Sequence, residues 1–125
     1  MQSKSRVLIV EDNPDQRELM LLALSEMDWD VSSAKDASEA LEMANRGRYA
    51  VYILDIGLPD MSGYDLAALL LGIHGADRPL LIALTGYGRP EDIAKTKASG
   101  FDHHLVKPAD IEDLERIVSR YLARK

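Results

Sequence analysis

Short apolar runs, each cut off by a polar residue able to carry chemistry, recur along the chain and alternate with helical patterns. Val7-Leu8-Ile9-Val10 stops at Glu11-Asp12, and Tyr49 to Leu54 stops at Asp55. Leu80 to Leu84 stops at Thr85, and His104-Leu105-Val106 stops at Lys107. Runs this short and continuously apolar suit strands covered on both faces, as in a parallel sheet. A weaker candidate, roughly Asp30 to Ala34, brings the expected strands to five.

Helical patterns fill the gaps. Asn13-Pro14 opens the first, with Asn as N-cap and Pro at the first helical position, where each is favoured. Its apolar residues Leu19, Leu22, Ala23 and Met27 keep 3–4 spacing and are the expected buried stripe. A second helix runs from about Ala37 to Asn45 and is stopped by Gly47. The third, about Gly63 to Ile73, is apolar nearly all round, which fits a tightly wedged helix or a face kept for a partner or second copy. A short fourth spans about Glu91 to Ala98 and ends at Gly100. The last carries Ile111, Leu114, Ile117, Val118, Tyr121 and Leu122 at helical spacing. Such a (βα)5 alternation predicts an α/β fold, with right-handed crossovers and an open, doubly wound, five-stranded parallel sheet.

The 125 residues suit one domain, residues 1–125 with a core of about 6–122. Without cysteine, neither a disulfide framework nor a thiolate metal site is possible. The longest nearly apolar run, Leu66 to Ile73, is far below the roughly 20 residues that cross a bilayer. Met1 to Arg6 is short and polar and lacks a signal peptide's apolar stretch, so the expected location is the cytoplasm, with no membrane partner. A net charge of −6 argues against nucleic-acid binding by this chain alone, since phosphate backbones select basic faces.

In an open α/β sheet, ligands bind beyond the carboxyl ends of the strands. Glu11, Asp12, Asp55, Thr85 and Lys107 should therefore converge on one edge. Three crowded carboxylates repel one another unless a cation neutralises them. Oxygen ligands with no sulfur suit a hard ion, Mg²⁺ or Mn²⁺, which can bring in a phosphoryl group and stabilise its oxygens during in-line transfer. Thr85 offers a hydroxyl donor and Lys107 a mobile positive charge. A carboxylate can form an acyl phosphate, so these residue types specify metal-assisted phosphoryl transfer to an aspartate.

Four segments carry a resemblance to the receiver (response-regulator, chemotaxis-Y-like) family. They read VLIVEDNPDQ (7–16), LDIGLPDMSGYDL (54–66), IALTGYG (82–88) and GFDHHLVKP (100–108), and the resemblance extends from Arg6 to Leu122. It implies a flavodoxin-like strand order of 2-1-3-4-5 and Asp55 as phosphoacceptor. Asp12, Asp55 and the Gly57 backbone carbonyl would hold the cation, with Glu11 acting through water. Thr85 would contact the phosphoryl group, Lys107 would pair with it, and the Lys107–Pro108 peptide would be cis. The resemblance also implies a phosphohistidine donor, either a histidine kinase or a histidine phosphotransfer domain. The product would be a two-component switch controlling an output domain or homodimer partner. Such a chain is a phosphoacceptor that promotes its own phosphorylation and dephosphorylation, rather than a turnover enzyme. GYG after Thr85 and FDHHLVKP are similar to receivers attached to hybrid histidine kinases.

Departures from the family pattern sharpen the expectations. Where receivers commonly carry a switch aromatic, three before the lysine, this chain has His104. Its reference pKa near neutrality makes a pH-sensitive switch the expectation there. The adjacent His103 should point to the opposite face, so the two do not form a metal pair. Gly57 and Gly86 leave the site lightly covered, which predicts easy access for water and a short-lived phosphorylated form. Two rivals fit less well. A phosphatase with an aspartyl-phosphate intermediate, of the haloacid-dehalogenase type, needs an Asp at the place of Gly57. A flavodoxin-like binder needs a Ser/Thr/Gly phosphate cradle where Glu-Asp-Asn-Pro-Asp stands.

Overall fold

The computed structural model describes residues 4–86 and 88–123, so Tyr87 of the third motif lies outside the described residues. Strands and helices alternate as β1 (Arg6–Val10), α1 (Pro14–Ser25), β2 (Asp30–Ala34), α2 (Ala37–Arg46), β3 (Val51–Asp55), α3 (Gly63–His74), β4 (Leu80–Thr85), α4 (Pro90–Ala98), β5 (His103–Val106) and α5 (Ile111–Ala123). All pairings are parallel, in the order β2-β1-β3-β4-β5. No helix among the described residues is long and apolar enough to cross a membrane.

The period-two alternation of the strands divides the core into two layers. Leu8, Val10, Tyr52, Leu54, Leu81 and Ala83 face α2 and α3, where Ala40, Ala44, Leu66 and Leu70 are buried. Val7, Ile9, Val51, Ile53, Ile82 and Leu84 face α1 and α5, against Met20, Leu24, Leu114 and Val118. Burying a side chain of this size contributes about 1.5–3 kcal/mol, so the central strands anchor the sheet from both sides. The edge strand β5 is only half covered, and Val106 is exposed, because no further strand lies beside it.

Three expectations need correction. On α1 the buried residues are Met20 and Leu24, whereas Leu19 and Leu22 are 66% and 62% exposed. Residues 19 to 24 are all apolar, so spacing alone does not select the face that turns inward. On α3, Leu66, Ala67 and Leu70 are buried but Leu69 and Ile73 are exposed, so this helix is not wedged on every side. Gly47 does follow α2, but with extended dihedrals (φ −155°, ψ 168°) rather than a left-handed cap. A Cβ there would fall on the Arg6 guanidinium, the far end of a flexible side chain. The expected N-cap of α1 is present, with Asn13 Oδ1 accepting from Gln16 N at 3.0 Å.

Candidate functional site at the carboxyl edge of the sheet

Strand register carries the chemistry-bearing residues to one edge. Val10 pairs with Leu54, so Glu11 and Asp55 stand side by side as the next residues of their strands. Asp55 pairs with Leu84, and Thr85 with Val106, which places Thr85 and Lys107 one step further along the same edge. Hydrogen bonds extend the ladder past the strands: Glu11 N donates to Ala34 O (3.1 Å), Ile56 N to Leu84 O (3.1 Å) and Lys107 N to Thr85 O (2.7 Å). The following Lys107–Pro108 peptide is cis.

Lys107 is the centre of this arrangement. Its ammonium lies 2.9 Å from Glu11 Oε1 and 2.9 Å from Asp55 Oδ2. Glu11, Asp55 and Thr85 are buried, while Asp12 is exposed. Burial pushes the Glu11 carboxyl above its ordinary range, against the pull of Lys107 and of the Asn13 amide. For Lys107 burial works downward, but its hydrogen bonds to Glu11 and Asp55 outweigh it and hold the ammonium above its usual value. The remaining contacts fix orientation. Glu11 Oε2 accepts from Asn13 N at 3.1 Å, and Asp55 Oδ1 accepts from Gly57 N at 3.0 Å. Each Asp55 oxygen thus has one partner and keeps acceptor capacity for another.

Carboxylate oxygens of Glu11, Asp12 and Asp55 lie within 4.8 Å of one another. A single ammonium is shared between two of these groups. Glu11 Oε1 is buried, with the Lys107 ammonium 2.9 Å away as its close partner. An all-oxygen donor set of three carboxylates sharing one ammonium fits a hard divalent cation. Gly57 and Gly86 leave the site open: a Cβ at Gly57 would come no nearer than 3.9 Å to Asp55 Oδ1, and one at Gly86 would meet nothing within 4 Å.

Thr85 Oγ1 lies 3.0 Å from His104 Nε2, and His104 Nδ1 lies 2.8 Å from Thr96 Oγ1 on α4. His104 therefore bridges the site to a helix, while His103 is exposed. Sequence reasoning missed Thr96 and also Arg17, whose Nη1 donates to Glu11 O at 2.9 Å and braces the acidic turn. Their only sequence signal is position: Arg17 lies one turn into the helix that follows the acidic pair. Beside the site, Gln16, Leu19, Met20, Leu84, Pro108 and Ile111 line an apolar cleft of about 130 Å³.

The family model of the response regulator receiver domain matches residues 7–119. The response regulator protein PilR of Pseudomonas aeruginosa is 36% identical over 121 residues, 96% of this chain, and the chain spans 26% of that protein's length. The chemotaxis protein CheY4 of Vibrio cholerae is 28% identical, with a TM-score of 0.87 over 95% of this chain and 99% of that one. A co-crystal structure of the Saccharomyces cerevisiae histidine phosphotransfer signaling protein Ypd1 and the receiver domain of its downstream response regulator Ssk1 also matches. There the identity is 25% and the TM-score 0.85, covering 97% of this chain and 90% of that one.

Proposed function

The chain belongs to the response regulator receiver domain family, and from that premise we propose that it accepts a phosphoryl group on Asp55 from a phosphohistidine donor and so switches an output partner. The observation that carries this reading is the Lys107 ammonium held 2.9 Å from both Glu11 and Asp55 at the carboxyl edge of the sheet. An Asp55 oxygen attacks phosphorus as the donor's P–N bond breaks, and the bonding electrons leave with the imidazole nitrogen. The Gly57 amide holds the carboxylate in place through Oδ1, while Lys107 attends Oδ2 and then the new phosphoryl oxygens. Thr85 donates its hydroxyl to one of those oxygens. Glu11, Asp12, Asp55 and the Gly57 carbonyl are the groups that would hold Mg²⁺ (or Mn²⁺), which when bound neutralises the carboxylates and the incoming phosphoryl charge. The open ground at Gly57 and Gly86 gives water a path back to the acyl phosphate, so the phosphorylated form is short-lived.

The donor docks on α1. Leu19 and Leu22 are exposed beside the apolar cleft that runs to Glu11 and Lys107, and a protein bringing a phosphohistidine to Asp55 would cover them. On the output side, phosphorylation adds about −1.5 to −2 charges, and the segment from Gly86 to Pro90 with α4 responds. The exposed Leu69 and Ile73 of α3 are the face for an output domain or second copy. The whole is one cytoplasmic receiver domain, residues 1–125, working alone or within a larger protein such as a hybrid histidine kinase.

Intact mass after incubation with Mg²⁺ and a small acyl phosphate tests this reading. One labile phosphate is expected, lost with EDTA and absent from Asp55→Asn. A phosphate that persists in Asp55→Asn would move the acceptor elsewhere and overturn the assignment.

A further inference from the structure

His104 stands between two hydroxyls, and its hydrogen bonds have assignable directions. Thr96 Oγ1 lies 2.8 Å from Ile93 O and 3.2 Å from Asp92 O, both carbonyls of its own helix. A carbonyl only accepts, so the single Thr96 proton is committed within α4. The 2.8 Å contact between Thr96 Oγ1 and His104 Nδ1 must then be donated by the ring. With the proton on Nδ1, a neutral imidazole presents Nε2 as an acceptor, and the 3.0 Å contact to Thr85 uses the Thr85 proton. Protonating the ring leaves the Thr96 bond in place and reverses the Thr85 bond. Nε2 then donates, and the Thr85 proton is released for another acceptor.

A phosphoryl group on Asp55 offers such an acceptor, so this inference rests on the receiver reading above. We infer that His104 is a positioning residue for Thr85, so that turning the Thr85 hydroxyl towards the phosphoryl group is coupled to proton uptake by His104. An ordinary aromatic at this place would transmit by packing and rotation, with no proton to exchange. Here two N–H donors hold Thr85 and Thr96 at once in the switched state. Thr96 is the buried residue of α4, so the ring ties the phosphoryl site to that helix through its one inward-facing side chain.

Ala83 pairs with His104 on β4, and Ile93 of α4 lines the same cleft. Among the described residues, the charged and titratable groups lining that cleft are Lys97 from α4, Asp102 from the turn before β5, and His103. The Asp102 carboxylate is engaged by Arg78 Nη1 and Leu81 N, each at 2.9 Å. Lys97 and His103 are exposed. Coupling of a bound group to a proton is reciprocal, so falling pH should favour the phosphorylated state by the same factor that phosphorylation favours the proton.

The test is an imidazole NMR titration of His104 between pH 5 and pH 9, in a His103→Gln background, with and without Mg²⁺ and beryllofluoride as the acyl-phosphate mimic. Proton affinity at His104 should rise about tenfold in the beryllofluoride form, within the usual range of coupling between sites. A negative group nearby would also attract a proton through space, so Thr85→Val supplies the discriminating measurement. It keeps the added charge and removes the hydroxyl, and most of the rise should vanish. An equal rise in Thr85→Val, or none in the wild type, overturns the positioning role. As a second readout, the pH dependence of phosphorylation extent should flatten in His104→Phe relative to the wild type. If Asp55 takes neither phosphate nor beryllofluoride at any pH, the receiver reading has failed and this inference falls with it.

Discussion

Two connections leave the same edge of the sheet beside Asp55, and they are held in different ways. The connection from β3 to α3 is tied at several points. Gly63 N donates to Ile56 O at 2.8 Å, and Ser62 Oγ caps α3 by accepting from Asp65 N at 3.2 Å. Asp60 reaches across to α2, where its two oxygens accept from Ala37 N (3.0 Å) and Ser38 N (2.9 Å). The connection from β4 leads into α4, whose N-cap residue Arg89 makes no side-chain cap bond but pairs with Asp92 at 3.0 Å, and whose one buried residue is Thr96. Ile93 of that helix is 45% exposed. On the function proposed above, the contrast assigns a division of labour: one connection keeps the geometry of Asp55 constant, and the other, with fewer ties among the described residues, responds.

A matched pair of glycine substitutions should break or confirm this contrast most sharply. A Cβ at Gly63 would meet Ile56 Cα at 2.7 Å and Asp55 O at 2.8 Å, both backbone atoms next to the acceptor. Backbone cannot step aside as a side-chain tip can, so Gly63→Ala should cost roughly 2–3 kcal/mol by urea unfolding. It should also slow phosphorylation of Asp55, because relief requires that loop to shift. At Gly88 the Cβ would meet only the Val106 Cγ2 methyl, at 2.8 Å, and Val106 is exposed and free to turn. Gly88→Ala should cost below about 1 kcal/mol. Equal losses in the two variants would show that the β4–α4 connection is as rigid as its neighbour.

Thr96→Val tests the buried tether of α4. It removes the acceptor of the His104 Nδ1 proton while keeping the buried volume, and a cost of about 1 kcal/mol is expected for the lost hydrogen bond. Amide exchange should speed up along α4 and remain unchanged along α3. Uniform acceleration would mean that α4 opens only with the whole domain, which is not how a local switch behaves.

These contrasts were unevenly legible in the residues. Glu11-Asp12, Asp55, Thr85 and Lys107 could be read because each ends an apolar run, and a parallel sheet brings such ends together by topology alone. Asp60 and Thr96 could not, since their partners lie 22 and 23 positions away for Asp60 and on another element for Thr96. Nothing in local spacing encodes such a meeting. The burial phase of α1 failed for a different reason. Its run of apolar residues satisfies several helical faces, and the face left outside, with Leu19 and Leu22, is the one offered here to the phosphodonor. The identity of His104 was plain from its distance to Lys107, but the direction of its hydrogen bonds depends on how α4 turns Thr96 inward.

The smallest expected effect concerns Asp60. The two α2 amides it accepts hold its carboxyl below the ordinary range, and the favourable field of a helix N-terminus acts in the same sense. In the unfolded chain this group titrates near 3.8. Its contribution to stability is therefore complete above that pH and is lost as pH falls through the lower folded value, where the carboxylate finally takes up a proton. Asp60→Asn keeps an acceptor oxygen but has no charge to lose. The difference in midpoint between wild type and variant should be constant from neutral pH down to about pH 5 and shrink below about pH 4. The change should be modest, because the side chain is open to solvent and added salt will screen it. A gap that stayed constant into acid would mean that the charge of Asp60 does not matter. The loop would then be fastened by Gly63 and Ser62 alone, and the contrast between the two connections would rest on packing rather than on electrostatics.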